Sequence, residues 1–434
     1  MAKDFHEIRD AVHVFARLDS DERKVVDSRP FQRLRHIHQL GLTHLVYPGA
    51  THRRFEHSLG VMELADRVFH VITADRNRDD RVRSIFPPDH QLEYWRRVLR
   101  MAALCHDVGH LPFSHAAEAT LLPHGCTHES LGASIINSEE MNRIWHGITP
   151  PLRSEEIAKL AVGPKKLRNT EFSPWERILA EVIVGDSFGV DRMDYLLRDS
   201  LHLGIVYGKF DQYRLVDTLR VLPERDDDAA EPMLGIESGG LHSAEALLLA
   251  RYFMYSQVYF HPVRRIYDIH LQDFLAAWLG DRRLPTDLDI FLNVTDEEVS
   301  AAIRKAAGEP SSPGHDPADR IVNRRHFRLL YERNPNDAER NPEAGEAVFN
   351  AACNEFGAER LRHDRYTEKG STTGFPVRDR DGRIVSSLAK SDVLQSVPRV
   401  NTDYVFVALE IRSQAETWLK TNRESVISQM EPED

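Results

Sequence analysis

Apolar residues recur at helical spacing along much of the chain. From Arg54 to about Thr73 they form one side of a predicted helix, and Tyr94–Leu104 predicts a second amphipathic helix that Gly109 and Pro112 close. Further helices are predicted over residues 31–40, 128–145, 154–162, 175–184, 191–198, 243–257 and 266–279. The pattern therefore predicts a mainly α-helical protein.

Shorter stretches interrupt this pattern. A hairpin is predicted around residues 11–15 and another over 216–240, residues 75–91 read as an exposed insertion, and residues 404–408 predict a strand before a terminal helix at 414–421. Gly, Pro and Ser concentrate in residues 308–317, which are typical of a linker. We expect a helical core domain with small β-hairpins over residues 1–307, and a smaller α+β region of unknown role over residues 308–434.

Composition narrows the function classes. The 434 residues carry a net charge of -12, which argues against a broad nucleic-acid surface. The three cysteines have no paired spacing, no apolar run approaches the roughly 20 residues that span a bilayer, and the N-terminus has no apolar signal region. We therefore expect a cytoplasmic protein without a membrane partner.

The most concentrated chemistry lies in residues 104–115, at the end of the helix that begins near Tyr94. His106 and Asp107 come first, and His110 and His115 follow on the turn. An imidazole beside a carboxylate at a helix end suits half of a metal site, and a buried hydrogen-bonded pair is the alternative. Two other His-Asp pairs, at residues 315–316 and 363–364, lie in polar surroundings, so we expect them to be solvated.

Two more segments can complete such a site. His57 lies in the first turn of the 54–73 helix, where a capping or core role is the alternative. Asp191 starts a helix with a polar face, for which a solvated face with Asp191 as the helix cap is the alternative. His57, His106, Asp107 and Asp191 would offer two imidazoles and two carboxylates, which suit Mn, Fe or Zn and also Mg. Such a set leaves positions open for water and phosphate.

At these residues the chain resembles the HD-domain phosphohydrolases, and within them the deoxynucleoside triphosphate triphosphohydrolases. The resemblance covers about Asp10 to Leu279, with core motifs in residues 27–200. It rests on seven ordered blocks: Phe31-Gln-Arg-Leu-Arg35, Gln39-Leu-Gly41, Pro48-Gly-Ala50, Arg54-Phe-Glu-His57-Ser-Leu-Gly60, His106-Asp-x-Gly-His110-x-Pro-Phe-Ser-His115, His128-Glu129 and Asp191-Arg-Met-Asp-Tyr195-x-x-Arg-Asp199. No sterile-alpha-motif domain precedes these blocks, so we expect that module's role to be missing here.

The resemblance implies cleavage of a dNTP to deoxynucleoside and inorganic triphosphate at a metal held by the four residues above. It implies that His115 protonates the leaving oxygen and that Glu118, where the family pattern has Asp, orients His115. The phosphates would be held by His110, His128, Arg54, Arg192 and Tyr195. Arg192 stands where the pattern has Lys, and an arginine binds phosphate as a fork rather than as a point charge.

Sugar recognition and control are also implied. Gln39 and Asp199 would hold the 3′ hydroxyl, whereas Tyr267 either packs on the sugar or belongs to the core, because its spacing departs from the pattern by about two residues. Asp27, Gln32 and Arg35 resemble a guanine-reading activator site, with a helix-packing motif as the alternative. The same resemblance implies a GTP or dGTP activator and a homo-oligomer, either a dimer or a tetramer.

Two rival functions remain at this stage. Another phosphohydrolase on the same scaffold, such as a nucleotidase or a phosphodiesterase, would share the metal ligands and differ in substrate. A catalytically silent nucleotide sensor or single-strand binder is less compatible with a complete ligand set and a net charge of -12. Base preference, metal identity and the role of residues 308–434 do not follow from the sequence.

Overall fold

The computed structural model describes residues 5–114, 118, 122–123, 125–227, 230–280, 283, 287–367 and 374–428. The chain forms two compact units that alternate along the sequence. Unit 1 contains Met1–Met254, Arg283–Glu297 and Ser371–Val397, and unit 2 contains Tyr255–Arg282, Glu298–Gly370 and Pro398–Asp434. The predicted division into two functional regions after residue 307 stays a prediction. Within the segment predicted as a linker, residues 309–314 join two helices of unit 2.

Helices dominate both units, which confirms the mainly α fold class. In chain order, the α-helices of the described residues are α1 (Ser20–Val26), α2 (Arg29–Arg33), α3 (Arg54–Thr73), α4 (Asp89–Cys105), α5 (His128–Ile136), α6 (Glu139–His146), α7 (Ser154–Val162), α8 (Pro174–Val184), α9 (Val190–Leu203), α10 (Gln212–Thr218), α11 (Leu241–Met254), α12 (Pro262–Leu279), α13 (Leu288–Phe291), α14 (Asp296–Gly308), α15 (His315–Val322), α16 (Pro335–Arg340), α17 (Ala344–Phe356), α18 (Ser387–Lys390), α19 (Asp392–Ser396) and α20 (Arg412–Ile427).

The described strands form three small sheets. They are β1 (His6–Asp10), β2 (Val14–Leu18), β3 (Leu219–Pro223), β4 (Pro232–Glu237), β5 (Arg328–Glu332), β6 (Leu361–Thr367), β7 (Pro376–Arg378), β8 (Ile384–Ser386) and β9 (Asn401–Val407). Unit 1 holds the β1–β2 hairpin and a sheet in the order β3-β4-β7-β8, in which β4 and β7 are parallel. Unit 2 holds the antiparallel order β5-β9-β6.

Helices α3 and α4 form the centre of unit 1. The apolar side of α3 is fully buried at Val61, Ala65 and Val68, and the helix packs on α4 and on α9. Buried side chains at every position from Val98 to Cys105 show that the end of α4 is enclosed on all sides. The residues that directly follow α4 are therefore held in the interior of the unit.

Three predicted elements need correction. The first hairpin exists, but residues 11–13 form its turn rather than a strand. The helix predicted over residues 31–40 ends with a 3-10 turn at His36, because the backbone of Ile37 and Gln39 pairs instead with the strand-like residues before α3. The helix predicted over residues 128–145 is divided into α5 and α6.

Unit 2 has its own apolar core. Helices α17 and α20 cover one face of the β5-β9-β6 sheet, and Val348, Val405 and Leu419 are buried between them. The predicted strand at 404–408 is thus the end of β9, the middle strand of that sheet. Among the helices that the structure describes, none is both long enough and apolar enough to span a bilayer.

Candidate metal centre and active site

The two histidines of the candidate metal centre lie at helix ends. His57 is in the first turn of α3, which begins after Arg53, whose backbone N–H donates to Glu56. His106 directly follows α4, and its Nδ1 lies 2.8 Å from the carbonyl oxygen of Ala103. Since that carbonyl accepts the ring N–H, His106 presents Nε2 as its lone-pair nitrogen. His57 is fully buried and the His106 side chain is 5% exposed.

Two carboxylates face these nitrogens. The Nε2 atom of His57 lies 3.0 Å from Asp191 Oδ1 and 3.8 Å from Asp107 Oδ2. The Nε2 atom of His106 lies 3.4 Å from Asp107 Oδ1 and 3.5 Å from Asp191 Oδ1. Ligands that are each about 2.1 Å from one cation stand roughly 3–3.5 Å from one another. The structure thus groups His57, His106 and Asp107 as one candidate donor set, and it places Asp191 Oδ1 within 3.5 Å of both histidine nitrogens.

The electrostatics of the four residues also suit a cation. His106 Nε2 is buried and has no hydrogen-bond partner among the described residues, although it faces two carboxylates. Burial opposes a charge on His57, but hydrogen bonds to Asp191 and Asp194 outweigh it and raise the pKa of His57 to about 10. The carboxylates therefore draw positive charge to this point, and a divalent ion meets the same demand. His57, His106, Asp107 and Asp191 fit the metal.

Arg54 lies beside this donor set. Its NH1 is 2.5 Å from Asp107 Oδ2, and its NH2 donates to Ser114 Oγ at 2.8 Å. The Arg54 side chain is 6% exposed. Its positive charge therefore lies in a region of low dielectric constant and interacts strongly with neighbouring charges. Arg54 therefore places a fixed fork of N–H donors next to the candidate metal centre.

His110 and His128 form a stacked pair on the other side of Asp107. His110 Nε2 is 3.2 Å from Asp107 Oδ1, and the two imidazole rings are 4.1 Å apart. Burial, together with the cationic Arg54 nearby, holds the pKa of His110 well below its usual range, so the ring is neutral near pH 7. Glu118 accepts from both the backbone N–H of His128 and its Nδ1, at 2.9 and 3.0 Å.

His115 lies outside the described residues, so its role and its orientation by Glu118 stay predictions. What the structure does show is that Glu118 binds His128.

Gly109 allows α5 to pack closely against the turn after α4, because a Cβ at this residue would stand 2.1 Å from the His128 carbonyl oxygen and 2.3 Å from the Gly132 nitrogen. Both obstacles are backbone atoms, which cannot rotate away.

Gln39 and Asp199 are joined through His52. The Gln39 backbone N–H donates to the His52 carbonyl at 3.0 Å, and the His52 ring nitrogen Nε2 lies 2.7 Å from Asp199 Oδ1. Gln39 is 9% exposed, and its side-chain Oε1 has no hydrogen-bond partner in the part of the chain that is described. A buried acceptor without a donor costs free energy unless another polar group reaches it.

The remaining predicted substrate residues lie in different surroundings. Arg192 donates to the Gly185 carbonyl at 3.2 Å, and Tyr195 is partly buried on the same helix, α9. Tyr267 belongs to unit 2, where it is fully buried with its ring 4.8 Å from that of His326. That burial favours the core alternative for Tyr267.

The three residues of the predicted activator site lie on α2 and its flanks, and Gln32 Nε2 donates to the carbonyl of Val26, the residue before Asp27, at 2.8 Å. Arg35 Nε donates to Gln32 Oε1 at 2.9 Å, and its guanidinium carbon is 3.5 Å from the centre of the Phe55 ring. Asp27 ends α1 and pairs with Arg23 at 3.2 Å. Asp27 and Arg35 are exposed, so their donors and acceptors are accessible from outside.

The two other His-Asp pairs are not metal sites of this kind. Asp316 is 81% exposed, as expected. His315 corrects the prediction, because it is partly buried at the start of α15 with its Nδ1 2.9 Å from the carbonyl oxygen of Ala306. The pair at 363–364 corrects the prediction of a solvated loop, because it lies on β6, with His363 2.7 Å from Asp403 and Asp364 buried against Arg265. Successive side chains of a strand point to opposite faces of the sheet, so His363 and Asp364 cannot bind one metal ion together.

Sequence reasoning missed Asp194. Its carboxylate accepts a hydrogen bond from His57 Nδ1 at 2.7 Å, which leaves His57 Nε2 for the metal side. The signal that could have found it is its spacing of three residues from Asp191 on a predicted helix, which places both near one face.

Comparison with known proteins agrees with this geometry. The HD domain family model matches residues 54–198, and the HD associated region model matches residues 210–345. An uncharacterized protein of Methanocaldococcus jannaschii is 34% identical over 297 residues, 68% of this chain and 54% of that protein. Deoxynucleoside triphosphate triphosphohydrolase SAMHD1 of Homo sapiens is 32% identical over 294 residues, 62% of this chain and 44% of that protein. The chain spans about half the length of these curated relatives.

Solved structures extend the likeness to nearly the whole chain. The crystal structure of a hypothetical protein from Aquifex aeolicus has a TM-score of 0.77 and 31% identity, and the match covers 96% of this chain and all of that one. A phosphohydrolase from Bacteroides thetaiotaomicron, at 24% identity and a TM-score of 0.71, shares the fold over 93% of this chain and 99% of its own.

Family membership and the donor set together confirm the prediction of a divalent-metal cofactor. The residues that match this family model, 54–198, include all four candidate ligands. The chain belongs to the HD-domain phosphohydrolase superfamily and, within it, resembles the deoxynucleoside triphosphate triphosphohydrolases.

Proposed function

We propose that the protein hydrolyses deoxynucleoside triphosphates to deoxynucleoside and inorganic triphosphate. Water oxygen forms a bond to the α-phosphorus, the bond from phosphorus to the 5′ oxygen breaks, and a proton is delivered to that oxygen. The products are one deoxynucleoside and one triphosphate, which balances the atoms of substrate and water. The coarser assignment, an HD-type phosphohydrolase, already follows from the family.

The chain's own residues supply binding and proton handling. A divalent cation bound by His57, His106, Asp107 and Asp191 would lower the pKa of a water molecule and neutralise phosphate charge. Arg54, beside Asp107, offers a fork of donors to the α-phosphate. Neutral His110 can hydrogen bond to a phosphate oxygen without adding charge. His115 is proposed as the acid for the 5′ oxygen.

One observation favours a nucleotide over other phosphate esters as the substrate. Gln39 has a buried side-chain oxygen without a donor, and its backbone is tied through His52 to the buried carboxylate of Asp199. A hydroxyl group can donate to such an acceptor, and a deoxyribose offers its 3′ hydroxyl. We infer that Gln39 and Asp199 recognise the sugar, as the resemblance implies.

Product analysis tests this proposal. We would incubate the metal-loaded protein with each dNTP and NTP and identify the phosphorus products by ³¹P NMR. Inorganic triphosphate from a dNTP is the expected result, and nucleoside monophosphate with pyrophosphate would reject the proposal in favour of another phosphohydrolase. His106→Ala should abolish turnover, whereas His315→Ala, the histidine of an unrelated His-Asp pair, should leave it unchanged.

We also propose that a guanine nucleotide activates the enzyme at Asp27, Gln32 and Arg35. Asp27 and Arg35 are accessible and offer the acceptor and donor types that a guanine edge requires. The test compares dNTP turnover with and without GTP in wild type and in Arg35→Ala. GTP activation that Arg35→Ala removes supports the proposal, and equal rates with and without GTP in the wild type reject it.

A further inference from the structure

A single buried carboxylate connects the metal centre to the N-terminal hairpin. Asp194 is fully buried, and it accepts four hydrogen bonds from three different residues. Two come from Arg198, at 2.8 and 2.9 Å, and one each comes from His57 Nδ1 and His13 Nε2, both at 2.7 Å. With bonds from three directions, the carboxylate cannot rotate without losing at least one of them.

The β1–β2 hairpin contributes two of the residues around Asp194, one at the end of β1 and one in the turn. Asp10 forms an ion pair with Arg198 at 2.9 Å. Its other carboxylate oxygen accepts the backbone N–H groups of Val12 and His13, at 2.8 and 2.7 Å. Asp10 thus fixes both the arginine that holds Asp194 and the turn that presents His13. Asp10 and His13 are 6% and 3% exposed, so the turn is anchored in the interior of unit 1.

Helix α3 is shaped to admit this group. Gly60 follows His57 by three residues, and a Cβ at Gly60 would stand 2.1 Å from Asp194 Oδ1 and 2.3 Å from Arg198 NH2. The absence of a side chain here lets Asp194 and Arg198 lie directly against the backbone of the helix that carries His57. The same helix therefore supplies the metal ligand and the space for the carboxylate that orients it.

We propose that Asp194 is a positioning residue of the metal centre, held in place by Arg198, Asp10 and His13. Its hydrogen bond to Nδ1 fixes the ring orientation of His57 and directs Nε2 to the ion. The N-terminal hairpin is then part of the metal site although it supplies no ligand. The inference rests on the metal centre, and its test measures metal affinity without substrate, so it stands or falls separately from the proposed dNTP reaction.

The test uses the full chain, stripped of metal by a chelator and titrated with Mn²⁺, with free Mn²⁺ followed by electron paramagnetic resonance. Asp194→Asn keeps the side-chain shape and removes the charge. Loss of such a carboxylate partner typically costs 10–100-fold in metal affinity, and we expect an increase of that size in Kd. With Co²⁺, the visible absorption band should also shift, because the His57 ring is no longer held in one orientation.

The matched control is Asp66→Asn. Asp66 lies on α3, the helix that carries His57, but its carboxylate pairs with Arg96 and Arg100, at 2.6 and 3.2 Å, rather than with His57. This variant should lose stability and keep the wild-type Kd for Mn²⁺. A folded Asp194→Asn variant with the wild-type Kd would overturn the proposal.

A second variant covers the case in which Asp194→Asn does not fold. His13→Gln removes one support of Asp194 and leaves the four ligands, Asp194 and Arg198 in place. We expect a rise in the Kd for Mn²⁺ of about threefold or more, smaller than for loss of the carboxylate itself. An unchanged Kd in folded His13→Gln would contradict the role given to the hairpin and overturn the proposal.

Discussion

We expect Glu181 to give the free energy of unfolding an unusual dependence on pH. It lies on α8, partly buried, and its Oε2 accepts the backbone N–H of Leu234 in β4 at 3.0 Å. Burial raises the pKa of the Glu181 carboxyl to about 7, and the like charge of Asp186 adds to this effect. The ordinary value is 4.5. The folded protein therefore binds a proton at Glu181 under conditions in which the unfolded chain has released it.

The sign and size of this pH dependence follow from the difference between the pKa of Glu181 in the folded and in the unfolded protein. Because the folded-state pKa is the higher one, the stability contributed by Glu181 is fully present below pH 4.5 and is lost as the pH rises through about 7. The difference, 7 minus 4.5, corresponds to roughly 3 kcal/mol at about 1.4 kcal/mol for each pH unit. Glu181→Gln retains a carbonyl that can accept from Leu234 and cannot ionise, so it should avoid this loss.

The assay measures the free energy of unfolding by urea at pH 5 and pH 8.5, with an additional measurement at pH 4 for the control variant. Glu181→Gln should match the wild type within about 1 kcal/mol at pH 5 and exceed it by about 2–3 kcal/mol at pH 8.5. Glu176 on the same helix is the matched control, since its hydrogen bond with Lys159 outweighs burial and lowers its pKa. Its contribution is present above the unfolded pKa and lost in acid, so Glu176→Gln should destabilise the protein more at pH 8.5 than at pH 4. A Glu181→Gln difference that is the same at both pH values would refute the reasoning.

Three further variants test other contacts. Gly109→Ala should cost about 1–3 kcal/mol and lower kcat, because its Cβ meets backbone of α5, and wild-type kinetics would contradict this packing. Val14→Gly should raise the free energy of unfolding by about 0.5–1 kcal/mol, because Val14 has a φ of 72° that a β-branched residue adopts only with strain, and a loss of stability in urea would contradict it. Gln39→Leu should lower kcat/KM for dNTPs about 10–100-fold with little change in Mn²⁺ affinity, and unchanged kinetics would remove Gln39 from the sugar site.

Secondary structure could be predicted well from the sequence where a single buried helix face determines the spacing of the apolar residues. The apolar positions of α3 recur so regularly that both of its ends, Arg54 and Thr73, follow from the pattern. The segment after His36 could not be predicted, because its apolar residues have helical spacing while its backbone pairs with residues 52–54, a contact that periodicity does not encode.

The four candidate ligands could be predicted because each stands in a recognisable block, and the structure places both carboxylates within 4 Å of both histidine nitrogens. Asp194 and His13 could not be predicted in the same way. Their function depends on which atoms face His57 after the hairpin, α3 and α9 have packed together, and no local pattern specifies that. Interleaving of the two units along the chain is likewise set by long-range contacts, which composition alone does not reveal.

Hydrolysis of a dNTP in water enriched with ¹⁸O tests the central claim most directly. The metal-loaded protein should release deoxynucleoside without label and inorganic triphosphate with one ¹⁸O, detected by mass spectrometry, because water attacks the α-phosphorus that leaves with the triphosphate. Label in the deoxynucleoside, or release of nucleoside monophosphate with pyrophosphate, would contradict the account.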